Sequence, residues 1–191
     1  MRVVFIGPPG AGKGTQAIRV AKHLGVKQLS TGDVLRQARD RREPIGLEAG
    51  KYLDKGHLVP DAMVVAIVSD RLAKDDCAKG YLFDGFPRTL GQAEALDDLL
   101  VDCGSPLDAA IEFVVPEDEL FNRLHDRGRS DDSEATIRER LRHYVVLTAP
   151  LAEYYDNRGV LRCVDAVGTP DEVFKRVCDA LEDIKAKAAK R

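Results

Sequence analysis

Along the chain, short apolar runs alternate with longer stretches in which apolar positions recur every three or four residues. The runs at 2–6, 27–30, 81–84, 109–114 and 161–164 read as strands, the second of them weakly. Between and after them the spacing predicts helices over 14–24, about 32–42, about 47–55, 62–73, 90–101, 117–126, 133 to about 157, and 171–188. Asp61, following Pro60, is positioned to cap the 62–73 helix, and Ser133 caps the long one, with Glu134 adding negative charge to its first turn. Strands alternating with helices imply parallel pairing through right-handed crossovers. Strands that read as unbroken apolar runs fit a sheet covered on both faces. Two segments break the regularity. Residues 31–60 place two helices between the second and third strands before a further helix, and residues 126–132, DRGRSDD, form a charged link between two helices. Lids and binding loops sit on such connections, although a stable extra helix pair and an ordinary turn fit the same pattern.

Length and charge narrow the classes. With 191 residues, 44% of them apolar, the chain suits one domain with a core that needs no staples. Its 29 Lys+Arg stand against 32 Asp+Glu, a net charge of −3, which removes the electrostatic case for a general nucleic-acid binder. Any cationic site must be a local concentration. The longest apolar run, 62–68, falls far short of the roughly 20 residues of a membrane span. The opening MRVVFIGPP is too brief an apolar stretch for a signal peptide, so a cytoplasmic protein is expected. Cys77, Cys103, Cys163 and Cys178 form no C-x-x-C and no zinc-ligand spacing, so idle thiols are expected. His23, His57, His125 and His143 form no cluster along the chain, and no catalytic histidine is expected.

The strongest local chemistry is GPPGAGKGT, Gly7 to Thr15, directly after the first strand and opening a helix. This is the context a phosphate-binding loop needs. Glycines let the backbone fold around an anion, successive N–H groups form a nest, and the helix start adds its positive dipole end. Lys13 supplies a point charge toward the β- and γ-phosphates. The usual motif has Ser or Thr after the Lys. Here Gly14 stands there and Thr15 follows, so a water-mediated contact of Thr15 with Mg2+ is expected in place of a direct one. Asp84 closes the third strand, where such sheets deliver functional groups, and is a candidate for holding Mg2+ or its waters. A turn-forming Asp before Gly85 is the plainer alternative.

With GPPGAGKGTQ at 7–16, LSTGDVLR at 29–36, GHLVPD at 56–61, LFDGFPRTLGQA at 82–93, FNRLHDRGR at 121–129, RSDDSEATIRERL at 129–141 and TAPL at 148–151, the chain resembles the adenylate kinases over nearly its whole length. The resemblance implies the reaction ATP + AMP ⇌ 2 ADP with Mg2+, and a five-stranded parallel P-loop sheet of order 2-3-1-4-5. It implies that Gly10, Ala11, Gly12, Lys13, Gly14 and Thr15 wrap the ATP phosphates, that Arg123 and Arg127 serve ATP, and that Gly168 meets its adenine through the backbone. Thr31, Arg36, His57, Leu58, Val59, Gly85, Phe86, Pro87, Arg88 and Gln92 would bind AMP, with Arg129 and Arg140 bridging toward AMP and the transferring phosphoryl group. Lys13, Arg88, Arg123, Arg129 and Arg140 would be the catalytic set, and Thr15, Asp33 and Asp84 would reach Mg2+ through water. The implied partition is a core of 1–29, 60–125 and 133–191, an AMP-binding segment of 30–59 and a short lid of 126–132. Long-lid members insert a small β-rich lid, some with four zinc-binding cysteines. DRGRSDD contains no cysteine, so no structural zinc is expected there. A monomer with ATP and AMP as partners, and neither nucleic acid nor membrane, completes the picture.

The residue types suit phosphoryl transfer, which needs positioning and charge neutralisation more than a protein base. Arg stays protonated, and its planar fork holds two phosphate oxygens. Arg123 and Arg127, four apart, share a helix face, whereas Arg138 and Arg142 flank Arg140 at offsets that point elsewhere. Asp33 fits either a link to Mg2+ waters or a helix-start carboxylate. Asp131 and Asp132 are candidates for pairing with lid arginines. For base choice, Gln92 can pair with an adenine edge, and Leu58, Val59 and Met63 are candidates to line the ring faces. By resemblance, Thr31 and Thr89 go with AMP, where UMP/CMP kinases tend toward Ala and Asn. Three other readings remain. A UMP/CMP kinase would show itself in a monophosphate panel. A weakly catalytic ATP-binding module would ignore AMP. A GTPase switch would need an N-K-x-D guanine reader, which the sequence lacks.

Overall fold

The structure, a computed structural model, describes residues 1–102, 104–126 and 133–188. In chain order it runs β1 (Arg2–Ile6), α1 (Lys13–Leu24), β2 (Lys27–Ser30), α2 (Thr31–Asp40), α3 (Pro44–Leu53), α4 (Asp61–Leu72), a 3-10 turn (Asp75–Cys77), β3 (Tyr81–Asp84), α5 (Leu90–Asp102), β4 (Ala109–Val114), α6 (Glu117–Asp126), α7 (Glu134–His143), a π-helical segment (Tyr144–Thr148), α8 (Leu151–Asp156), β5 (Leu161–Asp165) and α9 (Pro170–Ala188). The five strands form one sheet of order β2-β3-β1-β4-β5, with every pairing parallel. Arg2 pairs with Tyr81 and Val3 with Ala109, so β1 lies at the centre. Its residues Val3 to Ile6 are at most 1% exposed, because each side of the sheet carries its own apolar layer. Val4, Ile6, Phe83 and Ala110 face Phe86, Leu96 and Tyr155 on one side. Val3, Phe5, Ile111 and Phe113 face Ala17, Val20, Val177 and Leu181 on the other. Since all strands run the same way, Gly7, Ser30, Asp84 and Asp165 come out along one edge. Ligands of such sheets bind at that edge.

The helix expected to run unbroken from 133 to about 157 is three pieces. Ser133 does cap its start, accepting from Thr136 N–H at 3.2 Å. Pro150 then has no N–H to continue the ladder. The turns before it widen, with Ala149 N–H donating five residues back to Tyr144 C=O at 2.8 Å, and a new short helix begins at Leu151. Asp61 does not cap α4 through its side chain, and its carboxylate is committed elsewhere, as described below. Among the described residues no helix is long and apolar enough to cross a membrane. Cys77, Cys163 and Cys178 are free thiols; Cys103 lies outside the described residues.

Candidate active site

One cleft of about 830 Å3 opens along the carboxyl edge of the sheet, and most of the expected site residues line it. Between β1 and α1 the chain turns sharply, with Gly10 at φ +87° and Gly12 at φ +86°. A Cβ on Gly10 would lie 3.0 Å from both the Leu120 carbonyl oxygen and Leu124 Cγ, so only glycine lets this loop settle onto α6. Lys13 opens α1 and folds back over the loop, where its Nζ donates to the carbonyls of Gly7 at 2.7 Å and Pro8 at 2.8 Å. Ala11, Gly12, Gly14 and Thr15 complete this wall of the cleft. Asp84, at the end of β3, rests against Gly14, where a Cβ would come within 3.2 Å of its Oδ2.

The opposite wall comes from β2, α2 and the loops after α3 and β3. Thr31 starts α2 and donates its hydroxyl to Gly85 C=O at 3.1 Å. Asp33 lies in the first turn of α2, and its Oδ1 accepts from Arg36 at 2.5 Å. Among the described residues Arg88 is held at several points. Its N–H donates to Gln92 Oε1 at 2.8 Å, its carbonyl accepts from Thr148 Oγ1 at 2.8 Å, and its Nε donates to Gly85 C=O at 2.9 Å. Gly85, at φ +80°, leaves room for that guanidinium, since a Cβ would stand 2.9 Å from Arg88 Nη2. Gln92 is 2% exposed and fixed at both ends, its Nε2 donating to Asp61 Oδ1 at 2.7 Å. The second oxygen of Asp61 accepts from Thr89 Oγ1 at 2.7 Å. Asp61 is therefore the post on which the Arg88–Gln92 turn stands.

Arg123, Arg140 and Gly168 also reach the cleft, as do His57, Leu58, Val59 and Pro87. Arg123 pairs with Glu119 one turn earlier on α6 and donates to Ala166 C=O at 3.1 and 3.2 Å. Two expectations do not hold in side-chain terms. Phe86 is 0% exposed and stacks in the core with its ring centroid 5.2 Å from that of Phe83, so its side chain is absent from the cleft wall. Met63 packs against the same core and does not line the cleft. Arg127, Arg129, Asp131 and Asp132 lie outside the described residues. Arg138 and Arg142 do turn away from Arg140, pairing with Glu134 and Glu139.

Sequence alone singles out neither Asp61 as an acceptor, nor Thr148, nor Glu119, nor the meeting of His57 with His143. The signal for Thr148 was present in TAPL, but its hydroxyl reaches Arg88 only because the π-helical turn before Pro150 aims it there. His57 and His143 do come together, with ring centroids 5.2 Å apart, because the turn after α3 docks on α7. The expectation of no histidine cluster holds along the chain and fails in space. Among the described residues Thr15, Asp33 and Asp84 offer oxygen atoms to this cleft. Oxygen atoms are the hard donors that magnesium takes.

Comparison with known proteins bears on this geometry. A sequence profile of the adenylate kinase family matches residues 5–160. The chain is 52% identical over 181 residues to an adenylate kinase of Mycolicibacterium vanbaalenii, covering 95% of this chain and 99% of that one. It is 50% identical over 186 residues to one from Thermobifida fusca, covering 95% and 98%. With one from Thermodesulfovibrio yellowstonii the identity is 43% over 213 aligned positions, covering 95% and 99%.

Proposed function

The chain belongs to the adenylate kinase family, whose business is nucleotide phosphoryl transfer, and from that membership we propose that it moves the terminal phosphoryl group of ATP to AMP, giving two ADP. The observation that carries this reading is that a phosphate loop and a second, Arg-lined wall face each other across one cleft. ATP phosphates lie in the 10–15 loop, with Lys13 leaving its carbonyls to meet them. Arg123 and Arg127 flank them, and Gly168 meets the adenine. AMP lies against Thr31, Arg36, the 57–59 stretch, Gly85 to Arg88, and Gln92. Arg129 and Arg140 approach the group in transit.

Two polyanions carrying together about −6 oppose one another before magnesium binds, and that repulsion is the barrier the site must answer. The AMP phosphate is already ionised near neutral pH, so no residue has to remove a proton. The guanidinium groups hold both phosphate chains in line and spread the charge of the moving group. Thr15, Asp33 and Asp84 are the residues that would hold magnesium through its waters; when bound, magnesium would neutralise part of the phosphate charge. Gly14 supports this assignment, because its missing side chain leaves the Asp84 carboxylate directly against the loop. The segments 30–59 and 126–132 act as the AMP-side arm and a short lid. One chain supplies every group named, so we take the working unit to be a monomer.

A coupled assay of ADP formation across nucleoside monophosphates at fixed ATP, with and without Mg2+, tests the reading. AMP should be the preferred acceptor and turnover should require Mg2+. Arg88→Ala should lower kcat by about 100- to 1,000-fold with the fold retained by circular dichroism. Preference for UMP or CMP, ATP binding with no response to AMP, or near-normal turnover in that variant would each refute it.

A further inference from the structure

Three side chains outside the phosphate-handling set converge where the turn after α3 meets α7. His57, Glu139 and His143 each offer one donor atom, and these atoms all lie within 4.8 Å of one another. Glu139 Oε1 is 3.6 Å from His57 Nε2 and 3.1 Å from His143 Nε2. A tetrahedral zinc ion with bonds of about 2.0–2.2 Å sets its ligand atoms about 3.3–3.6 Å apart. Two edges of that tetrahedron are thus close to their final length.

The protonation pattern fits as well. His143 Nδ1 lies 3.2 Å from Gly56 C=O, across 87 residues of sequence. A carbonyl only accepts, so Nδ1 carries the hydrogen, and in the neutral ring Nε2 then has the lone pair, on the Glu139 side. A ring with one nitrogen anchored to the backbone and the other presented inward is how imidazoles are held for metals. Arg142 reports the same polarity, donating through Nη2 to His143 Nε2 at 3.0 Å and to Glu139 Oε1 at 2.7 Å. The cluster already attracts a positive charge, supplied by a side chain that is 60% exposed and can swing away.

We propose that His57, Glu139 and His143 form a binding site for a divalent transition metal of the zinc class, entered by displacing the Arg142 guanidinium. Two imidazoles and one carboxylate suit zinc and not magnesium, which takes oxygen donors and keeps its waters. His57 is 46% exposed, so the ion enters from solvent and water completes its shell. Binding staples the 56–57 turn to α7. The two already meet closely, since a Cβ on Gly56 would lie 3.0 Å from Thr136 C=O. His57 and His143 also line the cleft, and because the ion can be titrated without nucleotide, its binding is read separately from phosphoryl transfer.

The test is calorimetric titration of the whole chain with Zn2+ in the absence of nucleotide and Mg2+, with Co2+ as a spectroscopic probe. One ion should bind per chain and raise the melting temperature. Glu139→Gln and His143→Gln should each weaken binding at least ~10-fold. Arg142→Gln, which removes the competing cation and no ligand, should tighten it, and this variant remains informative if a ligand variant fails to fold. Co2+ should show no thiolate charge-transfer band. Absence of binding, affinity unchanged in both ligand variants, or a thiolate band placing the ion at a cysteine such as Cys163 would overturn the proposal.

Discussion

Gly14 shows how much one missing side chain decides. A hydroxyl residue usually stands at this position of the loop, and here the bare Cα meets Asp84, with a hypothetical Cβ 3.2 Å from Oδ2. Gly14 is also the second residue of α1, where alanine is the better helix former by roughly 1 kcal/mol. Gly14→Ala therefore separates two quantities. Stability should hold or rise by up to ~1 kcal/mol, while turnover falls about tenfold or more because the carboxylate is displaced. Thermal melts and the ADP assay on the same preparation check both signs. A parallel loss of both would mean that the close approach is structural. The loop itself was legible in the sequence because its nine residues are contiguous, with the glycines acting through their own backbone beside the Lys13 side chain. The role of Asp61 was not, since it depends on a contact spanning 28 residues to Thr89 that local spacing does not encode.

At the scale of elements, α2 and α3 meet very closely. Gly46 of α3 presses on α2 so closely that a Cβ would fall 2.1 Å from both Ala38 C and Arg39 N. These are backbone atoms, so one helix must move to admit even a methyl group. Gly46→Ala should cost about 1–3 kcal/mol in denaturant unfolding. It should also raise the KM for AMP while leaving that for ATP nearly unchanged, because α2 carries Arg36 and the loop after α3 carries His57 to Val59. Strands were the most readable elements. A strand segment buried on both faces must be apolar at every position, and Val3 to Ile6 of β1 is such a run. The 133–157 region was the least readable. Its apolar period continues through Pro150, so periodicity reports one helix while the missing N–H divides it. The π-helical turn that results carries Tyr144 and Thr148 into the cleft, and such turns occur often at functional sites.

For the molecule as a whole, acid should loosen the β2 edge of the sheet. Asp76 follows α4 in the 3-10 turn, and its carboxyl is held down at about 2, first by hydrogen bonding to the Arg71 guanidinium and then by Lys27 at the start of β2. A group whose folded pKa is depressed adds stability above its ordinary value near 4 and loses it as pH falls toward 2. Asp76→Asn should flatten part of the decline in melting temperature across that window, and equal slopes in both proteins would show that the contact adds nothing. Charge in the cleft follows a related logic. Lys13 rests on the carbonyls of Gly7 and Pro8, Arg36 on Asp33, and Arg123 on Glu119 and Ala166, so these cations come already engaged. An incoming phosphate chain must trade places with native oxygens one after another. Only a guest with enough oxygens to outbid all of them profits from the swap, which screens out small inorganic anions and lets each spent nucleotide leave as the old attachments re-form behind it.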